Sequence, residues 1–77
     1  MSDVKERVVN VVVRTLKVEP QRVTDEARFV EDLGAESIQS IELIAAFEEE
    51  FDIEMEEDAA LSVKTVAGAI EFIQKML

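Results

Sequence analysis

The chain has 77 residues, a net charge of −10, no cysteine and no histidine. This length allows a single domain, spanning residues 1–77, with one hydrophobic core. The composition excludes disulfides, thiolate metal sites and histidine-based catalysis, and the acidity opposes binding to nucleic-acid phosphates or anionic membranes.

The N-terminal segment predicts the first helix. Its apolar residues recur at helical spacing, at Val4, Val8, Val11, Val12 and Leu16. Asp3 and Glu6 resemble a capping box at its start, and Pro20 is expected to end it. The valine-rich run at 8–13 also has strand propensity. A helix is favoured because the stripe lasts more than three turns and no second strand pattern could pair with it.

The same segment does not read as a signal peptide, because Arg7, Asn10 and Arg14 interrupt its valines. The longest apolar run, residues 43–47, is too short to span a bilayer. We therefore expect a soluble, cytoplasmic protein whose partners are basic proteins reached by electrostatic steering.

Residues 17–36 form the longest predicted connection, in which Thr24, Asp25 and Glu26 supply turn residues. Phe29, Val30 and Leu33 are expected to pin this loop to the core. A loop of this length in a small domain is usually functional or contains a short turn of its own.

Three further helices follow. Residues 37–51 predict a long helix, residues 56–61 allow only a short one, and a final helix begins near Val66 with Thr65 as N-cap. Gly68 lies inside this last helix, where close packing against a neighbour would explain it. The predicted fold is an all-α four-helix bundle with three longer helices, a short third helix and a long loop between helices 1 and 2.

The second helix is predicted to have two apolar sides. At about 100° per residue, Ile38, Ile41 and Ala45 lie roughly opposite the core stripe of Leu43, Phe47 and Phe51. Residues 29–63 also contain twelve acidic residues and no lysine or arginine. This apolar strip bordered by carboxylates suits docking onto a basic, partly apolar surface, although a purely solubilising acidic face is the plainer interpretation.

Ser37 is the candidate functional residue, since it follows the turn glycine Gly34 at the start of the second helix. It could simply cap that helix. Alternatively, its hydroxyl could carry a phosphodiester, which a helix N-terminus stabilises through free N–H groups and its dipole. Ser40 lies one turn later without a preceding turn, so we interpret it as an ordinary helix residue.

These residues also carry a family resemblance. The stretch 29–38, FVEDLGAESI, followed by Glu42-Leu43 and the stretch 47–51, FEEEF, resembles the acyl carrier proteins, which depend on phosphopantetheine. The likeness continues into the last helix at Thr65, Val66, Ala69 and Ile70, so it covers nearly the whole chain.

The resemblance implies that a magnesium-dependent phosphopantetheinyl transferase attaches 4′-phosphopantetheine from coenzyme A to Ser37. The arm would hold acyl intermediates as thioesters and present them to enzymes of fatty-acid, polyketide or related lipid biosynthesis that have basic docking patches. It implies docking residues at Glu36, Ile38, Ile41, Glu42, Ala45, Glu48 and Glu49. It implies an acyl cavity lined by Leu43, Phe47, Ile53 and Val63, residues that could equally be plain core.

The sequence departs from the family pattern in four places, one of which is a short third helix made more apolar by Ala59, Ala60 and Leu61. Glu36-Ser37-Ile38 stands for the usual Asp-Ser-Leu, Gln39 for a common acid, and Met55-Glu56 for the more usual Ile-Pro. These departures suggest a specialised rather than a housekeeping carrier.

Other functions remain open at this stage. An unmodified acidic docking module would need the same bundle and strip without the arm. Acid–base catalysis by surface carboxylates such as Glu48 and Asp52 has no implied cleft, and a calcium loop with alternating acids and a central glycine is absent from the sequence. We expect no bound metal and a monomer, with weak self-association through the isoleucines left open.

Overall fold

The computed structural model describes residues 4–77, and it confirms the all-α fold. The helices are α1 (Val4–Leu16), α2 (Ser37–Phe51), α3 (Glu57–Leu61) and α4 (Val66–Met76), with one turn of 3₁₀-helix at Pro20–Arg22. The capping box predicted at Asp3 lies outside the described residues. No extended strand occurs in residues 4–77, so the valine-rich run is helical as expected.

Helix α1 lies at the centre of the packing, against both α2 and α4. Its stripe is buried at Val8, Val11, Val12 and Leu16, as the periodicity predicts. Pro20 does not end this helix, contrary to expectation. The helix ends at Leu16 because Lys17 turns the backbone left-handed, with φ of 57°, and Pro20 opens the 3₁₀ turn instead.

The long loop is fixed to the connection between α3 and α4 by backbone hydrogen bonds. The Phe29 N–H donates to the Lys64 carbonyl at 3.0 Å, and the Val66 N–H donates to the Ala27 carbonyl at 3.0 Å. Phe29 is buried and anchors the loop as predicted, together with Leu33. The prediction for Val30 was wrong, since its side chain is 56% exposed.

The last helix is capped as predicted, because the Gly68 N–H donates to Thr65 Oγ1 at 3.1 Å. A Cβ added at Gly68 would lie 3.2 Å from both Thr65 Oγ1 and Val63 Cγ1. Close packing therefore explains this helical glycine. Val66, Ala69 and Ile73 form the buried face of α4.

Candidate functional site

A tight turn leads the chain into α2. Gly34 has φ of 74°, a conformation that residues with a Cβ rarely adopt, and the Ala35 N–H donates to the Phe29 carbonyl at 2.8 Å. Asp32 closes the turn from its other side, since its Oδ2 accepts the Arg28 backbone N–H at 2.8 Å and the Arg28 Nε–H at 3.1 Å. The turn therefore fixes the backbone path that leads into the first residue of α2.

The Arg28 contacts alter the ionisation of Asp32. Hydrogen bonds from the Arg28 side chain, followed by the bond from its backbone, hold the pKa of the Asp32 carboxyl below its usual value. Asp32 is thus ionised at neutral pH, the state in which it accepts both bonds.

Ser37 is the first helical residue of α2 and not its cap. Glu36 occupies the N-cap position, and its backbone N–H donates to Gln39 Oε1 at 2.9 Å. Ser37 is exposed, and no group within residues 4–77 forms a hydrogen bond with its hydroxyl. The capping function that could have occupied Ser37 is therefore supplied by its neighbours.

Ser40 has a different environment. Its hydroxyl lies 3.4 Å from the Glu36 carbonyl, a long hydrogen bond to the preceding helical turn, and its side chain is half-buried beside a cavity. It behaves as the ordinary helix residue that the sequence suggested.

The outer face of α2 exposes most of the residues predicted for docking. Ile38 is 65% exposed and Ile41 is 49% exposed. The other exposed members of this set are Glu36, Glu42, Ala45 and Glu49. Glu48 differs, because it is half-buried and its Oε2 accepts the Met55 N–H at 2.8 Å.

Within residues 4–77, the ion pairs of α2 are confined to its side that faces α1. Glu50 pairs with Arg7, at 2.8 Å between Oε2 and Nε, and lies 3.7 Å from Arg14. The Arg7 guanidinium also lies 4.4 Å from the centre of the Phe51 ring. Of the twelve acids at residues 29–63, only Asp32 and Glu50 form ion pairs within the described part of the chain. The outer face therefore remains strongly negative.

A mostly apolar cavity of about 80 Å³ lies between α2, α4 and the segments that join them. Its walls come from the loop before α2, from the outer half of the core face of α2, from α3 with its flanking loops, and from α4. Its apolar lining comprises Phe29, Val30, Leu43, Ile44, Phe47, Met55, Ala60, Leu61, Val63, Ala69 and Phe72, and its polar lining comprises Glu31, Ser40 and Lys64.

Three of the four residues predicted for the acyl cavity line it, namely Leu43, Phe47 and Val63. Ile53 does not, since the turn after α2 packs it half-buried against the core. Sequence reasoning missed Phe72 and Met55, among others. Phe72 lies three residues after Ala69 and could have been found by periodicity, whereas no spacing rule places Met55 there.

Ser37 lies at the boundary between the two faces. With about 100° of rotation per residue, the cavity-lining positions of α2 centre roughly 70° to one side of Ser37. The exposed isoleucines and carboxylates centre roughly 80° to its other side. A group attached to the Ser37 hydroxyl would therefore start between the cavity side and the acidic strip of α2.

Among the described residues, no helix is long and apolar enough to cross a membrane, and no three acidic side chains converge on a common metal position. The structural features of the site are therefore a free hydroxyl, an apolar cavity and an acidic strip.

Comparisons with known proteins agree with this arrangement. Residues 6–73 match the family model described as a phosphopantetheine attachment site. The chain is 52% identical over 77 residues to an acyl carrier protein of Phenylobacterium zucineum (strain HLK1), covering 100% of this chain and 98% of the relative. It is 51% identical over 73 residues to an acyl carrier protein of Caulobacter vibrioides (strain NA1000 / CB15N), covering 95% and 94% of the two chains. The chain belongs to the phosphopantetheine-dependent acyl carrier protein family.

Proposed function

We propose that this carrier bears its phosphopantetheine arm on Ser37 and presents acyl intermediates to the enzymes of fatty-acid or related lipid biosynthesis. The observation that supports this assignment most directly is the exposed Ser37 hydroxyl, which has no hydrogen-bond partner in residues 4–77. A structural capping serine would have its oxygen engaged by a backbone N–H.

The residues around Ser37 fit a phosphodiester. The backbone N–H groups of Ser37 and Ile38 belong to the first turn of α2, where no intrahelical acceptor exists for them. The positive end of the helix dipole favours a negative group at this position. The Gly34 turn leaves the approach open, since a Cβ built there would meet no atom within 4 Å.

The arm supplies a thiol that holds the acyl group as a thioester, a function that a chain without cysteine lacks. The chain itself supplies shelter for the apolar part of the cargo. Phe47 and Leu43 provide the deep apolar wall of the cavity, and each methylene that enters gains about 0.8 kcal/mol by leaving water.

The outer face of α2 is the proposed docking surface for the phosphopantetheinyl transferase and for the acyl-processing enzymes. Ile38 and Ile41 offer apolar area, and Glu42 and Glu49 offer carboxylates without ion-pair partners in the described residues. A partner patch with basic residues around an apolar centre would complement this surface. The docking roles of Glu36, Ala45 and Glu48 belong to the same proposal.

We assign no catalytic role to the chain, and its partners perform the chemistry. Residence in the cytoplasm and a monomeric state remain predictions from the composition.

The test is an intact mass measurement before and after incubation with coenzyme A, Mg²⁺ and a broad-specificity phosphopantetheinyl transferase. We expect a gain of one phosphopantetheine on wild type and on Ser40→Ala, and none on Ser37→Ala. A gain that survives Ser37→Ala would place the arm elsewhere. No gain on folded, unmodified wild type would favour a docking module without an arm.

A further inference from the structure

Glu48 stands apart from the other carboxylates on the outer side of α2. Among the described residues, its carboxylate is the only one of the predicted docking set to accept a hydrogen bond from a residue beyond α2, the Met55 N–H at 2.8 Å. It lies about 20° from Ser37 around the helix axis, so it shares the boundary between the cavity and the docking face. Its contacts therefore connect α2 to the segment that follows the helix.

Glu48 stabilises the chain reversal that follows α2. The helix ends at Phe51, and Asp52 follows as its C-cap with a left-handed φ of 55°. The Ile53 N–H donates to the Glu48 carbonyl at 3.1 Å. The side-chain carboxylate of Glu48 also accepts a hydrogen bond from the Met55 N–H. Backbone and side chain of one residue thus fix the path of residues 52–55.

Met55 is the cavity residue that this path positions. It is half-buried, and its unbranched thioether side chain adapts to gaps more readily than the Phe47 ring deep in the core. The cavity of about 80 Å³ is roughly half the volume of about 150 Å³ that admits benzene in an engineered protein core. A long acyl chain can therefore enter only if part of the wall moves.

We propose that Glu48 is a positioning residue that holds the Met55 backbone in place, so that the flexible Met55 side chain forms the movable wall of the cavity. Through this contact Glu48 determines which acyl chain lengths the protein shelters. This inference rests on the proposed function, because it requires an acyl chain in the cavity. Loss of the hydrogen bond should loosen the fit around short chains and ease the entry of long ones. The expected signature is a changed dependence on chain length.

The experiment compares wild type, Glu48→Ala, Glu48→Gln and Glu71→Ala, each loaded with butyryl, octanoyl or dodecanoyl phosphopantetheine. Glu71→Ala is the matched control, since Glu71 lies on α4 outside the docking surface, has the same charge and is exposed without a hydrogen bond in the described residues. The measurements are the rate of thioester cleavage by hydroxylamine and the melting temperature of each acylated form relative to its unacylated form.

We expect Glu48→Ala to accelerate cleavage of the butyryl thioester about threefold to tenfold, the effect of losing one partly exposed hydrogen bond to a charged acceptor. Cleavage of the dodecanoyl thioester should slow or stay unchanged. Glu48→Gln keeps an acceptor for the Met55 N–H, so it should retain the wild-type profile, as should Glu71→Ala.

Equal acceleration at all chain lengths, or identical profiles for Glu48→Ala and Glu71→Ala, would overturn the inference. Met55→Ala alters the same wall without touching Glu48, so it tests the inference if Glu48→Ala does not fold; an unchanged profile there would also overturn it. Failure of the proposed function would look different. Wild type would then take up no acyl-phosphopantetheine on Ser37, so no protein-bound thioester would be available for hydroxylamine to cleave.

Discussion

The hydroxyl of Thr65 accepts the Gly68 N–H at the start of α4, whereas the hydroxyl of Ser37 accepts no bond at the start of α2 in the described residues. The difference comes from a one-residue change of register. Thr65 is the N-cap, while Ser37 follows the cap at Glu36. A hydroxyl at the cap stabilises its helix, and a hydroxyl one residue later is left free for chemistry.

The two helix starts also use glycine for different reasons. Gly34 precedes α2 and has positive φ with open space around the position of a Cβ. Gly68 lies inside α4, where the neighbouring Thr65 and Val63 atoms leave little room for a Cβ. Backbone conformation requires the first glycine, whereas close side-chain contacts favour a small residue at the second.

Alanine substitutions of Ser37 and Thr65 should separate the effect on phosphopantetheine attachment from the effect on stability. The loss of attachment is the largest effect that we expect. Ser37→Ala should abolish phosphopantetheine attachment and change the free energy of unfolding by less than about 0.5 kcal/mol. Thr65→Ala should keep attachment and lower that free energy by about 1 kcal/mol. Urea unfolding and intact mass measure both properties, and equal destabilisation by the two variants would contradict the comparison.

The glycines can be tested in the same way. Gly34→Ala should lower the free energy of unfolding by about 1–2 kcal/mol, because alanine is strained at positive φ. Gly68→Ala should change it by less than about 1 kcal/mol, since the gain in helix propensity opposes the displacement of the Thr65 cap. Chemical denaturation of both variants provides the test. A larger loss at Gly68 would show that packing there is the tighter constraint.

Gln39 contributes to the capping of α2, as Thr65 does to the capping of α4. Gln39→Ala removes the acceptor of the Glu36 N–H and should lower the free energy of unfolding by roughly 0.5–1 kcal/mol. Gln39→Glu retains an acceptor and should stay closer to wild type. Urea midpoints of the two variants measure the difference, and a neutral Gln39→Ala would mean that water replaces the cap.

The uncompensated acids of residues 29–63 should make stability dependent on salt. Added NaCl screens their mutual repulsion, so the melting temperature should rise by a few degrees, equivalent to less than about 1 kcal/mol. Calorimetry at low and high ionic strength measures this rise. An unchanged melting temperature would show that repulsion does not limit stability.

The smallest effect concerns the acidic turn before α2, which has no counterpart before α4. Arg28→Gln should raise the pKa of Asp32 towards its usual value, although the backbone bond from residue 28 remains. Because the folded pKa is lowered, the stabilisation is present above the unfolded pKa and is lost as the pH falls through the folded pKa. An NMR titration of the Asp32 carboxyl in both proteins checks this, and equal pKa values would contradict it.

The helices were predictable because their apolar residues recur at helical spacing. The stripe of α1 and the bounds of α2, Ser37–Phe51, agree with the periodicity. The long loop was harder, since the buried Val23, Ala27 and Ala35 are isolated apolar residues without a period. Val30 was misplaced because it lies next to the buried Phe29 in a turn that directs neighbouring side chains apart.

The site was predictable where it depends on sequence spacing and not where it depends on the path of a loop. The position of Ser37 after Gly34 suggested a special serine. Glu36 and Gln39 cap the helix without Ser37, but glutamate is not among the residues preferred at an N-cap, so no sequence signal indicated this. The bond between Glu48 and Met55 had no sequence signal, because it depends on the left-handed turn after α2.

The central claim is that the free hydroxyl of Ser37 carries the arm, and fragmentation mass spectrometry of the modified protein tests it most directly. The account predicts a phosphopantetheine adduct on the fragment that contains Ser37, with Ser40 and Ser62 unmodified. An adduct on either of those serines, or on Thr65, would contradict the claim and the comparison on which it rests.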